Sequence, residues 1–143
     1  RVAYRTPEDL TAIGQRVADK ALSPEDRWGL QNDLFAQVQC NAVSIDDYLA
    51  FLNNYLEEDA YLPLSSMADN LFRAYLVFDG SRQESIGSFG RSMLEKTLSA
   101  IGYLPVPDEP LTTSLLRDHI LWYAVVFGST PAASSAATLF FGA

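Results

Sequence analysis

The residues best equipped for chemistry in this chain are one histidine, His119, one cysteine, Cys40, and a few runs of carboxylates. A hydrolytic zinc site takes about three protein ligands, commonly histidines with a carboxylate, and a helical His-Glu-x-x-His sets two imidazoles on one face. His119 sits among Leu115, Leu116, Ile120 and Trp122 with no second imidazole to join it, so it reads as a structural side chain. Cys40 lies between Gln37, Gln39 and Asn41, without a base to activate a thiolate, and is expected as a small, partly buried filler. Glu8/Asp9, Glu25/Asp26 and Asp46/Asp47 fall in first turns of expected helices, where the dipole accounts for them without catalysis. Glu57, Glu58 and Asp59 come at a helix end of the opposite polarity and are expected on the surface, solvated or facing a cation. Gly87 and Gly90 interrupt a helical pattern and lack the strand and lysine of a phosphate loop. No catalytic, cofactor-binding or metal-ligating residue is assigned. Arg27 stands apart: by helical phase it falls inside an apolar arc, between Leu34 and Val38, where a guanidinium needs a carboxylate or carbonyl partner. It is expected to be a structural tie between helices.

The elements that would position these residues announce themselves by their caps. Thr6-Pro7-Glu8-Asp9, Ser23-Pro24-Glu25-Asp26 and Thr130-Pro131 each offer a hydroxyl N-cap followed by proline at the first helical position, and Ser44-Ile45-Asp46-Asp47 is a weaker version. Thr112 or Thr113 is expected to cap the helix that carries Leu115, Leu116 and Ile120. Helices are predicted over 7–20, 24–42, 45–57, 63–79, 84–101, 113–127 and 131–141. Pro105, Pro107 and Pro110 forbid a continuous helix between Gly102 and Leu111. In the second helix Trp28, Leu30, Leu34, Phe35, Val38 and Ala42 define the apolar face, and Asp26, Asp33 and Gln37 point away. Tight turns and no strand after Tyr4 predict an all-α fold of antiparallel helix pairs stacked as an α-solenoid of the HEAT or armadillo kind. The last helix has nothing after it to cover Leu139, Phe140 and Phe141, so the solenoid is read as truncated, with an edge expected to self-associate or leave that helix poorly ordered.

Composition narrows the function. A length of 143 residues, 48% of them apolar, suffices for a normal core. A formal charge of −8 repels phosphate backbones and anionic membranes, which argues against nucleic acid as a partner. The apolar stretches, such as Ile120 to Phe127, are too short to cross a bilayer, so no membrane span is expected. A single cysteine suits a reducing compartment, with the cytoplasm favoured. The first residue, Arg1, is not methionine, and the start of the gene product is expected to lie upstream.

Leu22-Ser23-Pro24-Glu25-Asp26-Arg27, Leu30 and Asp33-Leu34-Phe35-Ala36 resemble the opening of the C-terminal helical domain of zinc aminopeptidases, the group of puromycin-sensitive, endoplasmic-reticulum and tricorn-interacting enzymes. Arg27 and Asp33, both within this stretch, are the residues expected to be structural. Arg1-Val2-x-Tyr4 looks like the last strand of the preceding β-sandwich, which would make 1–5 the end of that domain and 6–143 the first part of the helical one. Tyr61-x-Pro63 resembles a family step in which Leu64 replaces a tryptophan. Ile101-Gly102-Tyr103, Pro105, Glu109, Leu115-Leu116-Arg117, Ile120-Leu121 and Gly128 resemble its later helix-turn-helix. The resemblance implies a noncatalytic segment of a metallopeptidase, part of a bowl that gates and contacts peptide substrate. It implies partnership with the catalytic domain of the same chain and zinc bound there, not here. An independent solenoid that binds protein or peptide is the alternative.

Overall fold

A computed structural model of the chain describes residues 7–142. The strand expected at Arg1 to Tyr4 and the Thr6 cap lie outside the described residues. These form α1 (Pro7–Ala18), α2 (Pro24–Gln39), α3 (Ile45–Leu52), a 3-10 turn (Asn53–Tyr55), α4 (Tyr61–Val77), α5 (Gly80–Ile101), α6 (Leu111–Val126) and α7 (Thr130–Phe141). The all-α class is as the sequence predicts, with no strand among the described residues.

Ser23 and Ser44 are the N-caps of α2 and α3, their hydroxyls accepting from the amides of Asp26 and Asp47 at 3.1 Å. Two other caps differ from expectation. Ser129, not Thr130, caps α7, its Oγ accepting from the Ala132 amide at 3.2 Å. Neither Thr112 nor Thr113 caps α6: the extended Pro110 precedes it, and the Pro110 carbonyl already accepts from the amides of Thr113 and Ser114. The second helix stops at Gln39 and does not reach Ala42, because Asn41 turns left-handed at φ 61° and its amide bonds back to the Val38 carbonyl.

The chain divides into two compact units, Arg1–Asn70 and Leu71–Ala143, the boundary falling within α4. In the first unit α1 packs on α3 and the 3-10 turn, and α2 packs on α3. Leu34, Phe35, Tyr48, Leu52, Leu64 and Met67 are among its buried residues. Trp28, expected in the core, is instead at the exposed margin of α2, while Gln37, expected to face away, is buried. A polar cluster sits inside this core. The Tyr48 hydroxyl donates to Gln31 Oε1 at 2.7 Å, and Asn70 Nδ2 donates to the same oxygen at 3.1 Å. Gln31 Nε2 donates to Ser66 Oγ at 2.9 Å and to the Trp28 carbonyl at 3.2 Å. Complete burial pushes the Tyr48 hydroxyl well above the usual tyrosine range, so it remains a donor.

In the second unit α5 packs on α6 and α6 on α7. Gly87 and Gly90 lie within α5, where they admit aromatic rings. A Cβ at Gly90 would meet Phe127 Cε2 at 2.6 Å, and the Phe127 ring is buried and edge-on to Tyr75 at 5.3 Å. Gly90→Ala gains about 0.5–1 kcal/mol of helix propensity but overpacks a ring with little room to retreat, a cost of about 1–3 kcal/mol. A net loss is expected as a lower urea midpoint; a rise would show that Phe127 repacks freely.

Candidate functional site

Two buried ion pairs are the most elaborate polar constructions among the described residues, one in each unit. Arg27 enters the core of the first unit from the first turn of α2. Its Nε donates to Glu58 Oε1 at 2.8 Å, Nη2 to Glu58 Oε2 at 2.9 Å, and Nη1 to the Leu22 carbonyl at 2.7 Å. Glu58 Oε2 also accepts from the amides of Asp59 and Ala60 at 3.2 and 3.1 Å, just ahead of α4. The Tyr55 hydroxyl donates to the Arg27 carbonyl at 2.6 Å. Both side chains are nearly sealed from water. The Glu58 hydrogen bonds raise the Arg27 guanidinium above its ordinary pKa, so the charge is permanent.

Glu58 thus corrects the surface reading of the Glu57 to Asp59 run while meeting the expectation of a cation: Glu57 and Asp59 are exposed, Asp59 facing Lys20 at 3.1 Å, and Glu58 turns inward onto Arg27. The partner of Arg27 also lies on the segment between the 3-10 turn and α4, so the pair joins a helix to a connection and not helix to helix. Asp33, the other structural candidate, is half-buried further along α2 and takes no part in this pair.

The second pair secures the proline-rich connection before α6. Arg117 Nη1 and Nη2 donate to the two Glu109 oxygens at 2.6 and 2.7 Å, while Nε and Nη2 reach the carbonyls of Gly102 and Ile101 at 2.8 and 3.0 Å. The same arginine therefore closes the loop and caps the C-terminal end of α5, where cations are favoured. Ser114 Oγ donates to Glu109 Oε2 at 2.6 Å. Hydrogen bonds from Arg117 and then Ser114 hold the Glu109 carboxyl down at about 2. A carboxylate so acidic is a poor proton donor or acceptor near neutrality, and both pairs are fully engaged in holding backbone.

The remaining candidates stay apart. His119 is half-buried on α6, edge-on to Tyr123 with ring centroids 5.7 Å apart, and Cys40 is exposed at the end of α2, not the partly buried filler expected. Among the described residues no three His, Cys, Asp or Glu side chains gather as metal ligands would. Zinc therefore finds no fitting donor set among the described residues. No helix among the described residues is long and apolar enough to cross a membrane.

Sequence comparison gives this helical framework its context. Residues 1–142 match the family described as the ERAP1-like C-terminal domain. Tricorn protease-interacting factor F2 of Thermoplasma acidophilum is 36% identical over 81 residues, which are 57% of this chain and 10% of that protein. The protein of the same name from Thermoplasma volcanium is 30% identical over 82 residues, again 57% of this chain and 10% of its own length. The match thus spans about a tenth of each of these curated relatives. No solved structure matches the chain. With the family match running through both units and both ion pairs, the chain belongs to the ERAP1-like C-terminal domain family.

Proposed function

We propose that this chain is a noncatalytic segment of the C-terminal helical domain of a zinc aminopeptidase, forming part of a bowl that gates and contacts peptide substrate. The family match over residues 1–142 carries this reading. The packing of helices that are neighbours in sequence supports the α-solenoid framework on which such a bowl would be built. Residues 6–143 then form the first part of the helical domain, and the catalytic domain belongs to the same polypeptide and supplies zinc and the reacting groups. Zinc there would act as a Lewis acid on the peptide carbonyl. The contribution of this segment is positional: Arg27 with Glu58 and Arg117 with Glu109 fix connections so that the helices present constant surfaces to a peptide. One exposed thiol, Cys40, suits a reducing compartment such as the cytoplasm.

The test uses both the chain and the intact gene product. The tag-free 143-residue chain is expected to carry no stoichiometric zinc and to release no amino acid from aminoacyl substrates. The intact product is expected to contain a His-Glu-x-x-His upstream, to bind one zinc there and to cleave peptides with a dependence on peptide length. Removal of this segment should abolish that length dependence. An intact product without the motif would leave an independent peptide-binding solenoid in its place.

A further inference from the structure

Three helices of the first unit meet at one buried amide. Gln31 of α2 and Tyr48 of α3 are fully buried, and Asn70 of α4 is 2% exposed. Gln31 Oε1 accepts from Tyr48 Oη at 2.7 Å and from Asn70 Nδ2 at 3.1 Å, and Gln31 Nε2 donates to Ser66 Oγ of α4 at 2.9 Å. Asn70 Nδ2 also reaches Asn32 Oδ1 of α2 at 3.3 Å. The Gln31 side chain thus makes one hydrogen bond with α3 and two with α4. As a source of stability this is poor, since apolar side chains of the same volume would fill the space with no polar group to desolvate.

What the amide supplies is a choice of position. Leu34, Leu52, Leu64 and Met67, also fully buried in this unit, are apolar and alike in size. Ridges of such side chains fit a facing groove almost as well one turn along, so a core made of them alone fixes which faces are buried more firmly than how the helices align. A slip of one turn moves a side chain by about 5.4 Å, about twice the 2.7 Å from Tyr48 to Gln31. One turn from Gln31 along α2 stand Arg27, whose guanidinium is taken by Glu58 and the Leu22 carbonyl, and Phe35, whose side chain has no acceptor. The Tyr48 hydroxyl therefore finds its acceptor in one alignment of α3 on α2 and is buried without one in the neighbouring alignments. Asn70 and Ser66 set α4 against the same amide. We propose that Gln31 is a register key, holding α2, α3 and α4 in one of several packings that their apolar faces would accept. The inference concerns packing within the first unit and does not rest on the aminopeptidase reading.

Tyr48→Phe in the 143-residue chain frees α3 alone, because Gln31 Oε1 keeps its Asn70 donor and no buried group is stranded. The variant should stay helical by circular dichroism, with a urea midpoint only slightly below that of the wild type. Its α3 amides should nevertheless show exchange in NMR relaxation dispersion with a second state populated at roughly 1–10%, where the wild type shows none. Gln31→Leu alone should lower the midpoint by stranding the Tyr48 hydroxyl. Adding Tyr48→Phe to it should recover the midpoint while extending the exchange to α2 and α4. Absence of exchange in both Tyr48→Phe and the double variant, with the wild-type contacts between α2 and α3 intact, overturns the proposal. So does a Tyr48→Phe chain that no longer folds, which would make the hydrogen bond a source of stability and not of register.

Discussion

Replacing Glu58 by alanine is expected to lower the unfolding free energy by about 3–5 kcal/mol, a large part of the 5–15 kcal/mol typical of a domain. The substitution leaves the Arg27 guanidinium buried with only the Leu22 carbonyl to receive it, and also takes the acceptor from the amides of Asp59 and Ala60. A guanidinium cannot shed its proton to escape the cost of burial. Arg27→Met should be milder, because methionine fills much of the same volume and the Glu58 carboxylate keeps the amides of Asp59 and Ala60 as donors. The measurement is the urea midpoint of each variant at constant slope. Equal midpoints for wild type and Glu58→Ala would mean that the pair is open to solvent.

Arg117→Met should cost about 2–6 kcal/mol, because the carbonyls of Ile101 and Gly102 are each left short of a donor at about 1–3 kcal/mol apiece. The damage should be local, seen as faster amide exchange from Gly102 to Pro110 and at the start of α6. The same clasp carries a pH dependence whose sign is fixed. The Glu109 carboxyl is held at about 2, below its ordinary value, so the folded state binds its proton less readily than the unfolded state does. Its stabilisation is complete above the ordinary glutamate value of about 4.3 and is lost as pH falls through about 2. Glu109→Gln should remove this part of the acid dependence while lowering stability at neutral pH. A variant whose acid profile parallels that of the wild type would show that other carboxylates govern acid unfolding.

The helices were legible in the sequence because their signals are local. Serine followed by proline and two acids identifies the start of α2 without knowledge of anything distant, and Ser44 does the same for α3. The cap of α7 lies one residue before the expected one because Ser129 and Thr130 both carry the hydroxyl the pattern asks for, and only backbone geometry decides between them. Burial was legible for Arg27, whose helical phase places it among apolar neighbours. Its partner was not, since Glu58 shares a run with two exposed acids and helical phase does not extend past the 3-10 turn. Trp28 and Gln37 were exchanged for a related reason. An apolar arc fixes the centre of a buried face better than its margins, and a glutamine near that margin is drawn in or left out by neighbours that sequence spacing does not identify.

The cluster of Gln31, Tyr48 and Asn70 bears on how this lineage can change. Gln31 Oε1 receives hydrogen bonds from both Tyr48 and Asn70, so loss of Gln31 takes the acceptor from the buried Tyr48 hydroxyl, while Asn70 still reaches Asn32 Oδ1 at 3.3 Å. A single step at position 31 therefore passes through an unstable intermediate, whereas a joint exchange of Gln31 and Tyr48 for apolar residues of similar volume need not. In descendants of a common ancestor, a change at position 31 should be accompanied by a change at position 48, whereas Asn70, which already has Asn32 as a second acceptor, can change more freely.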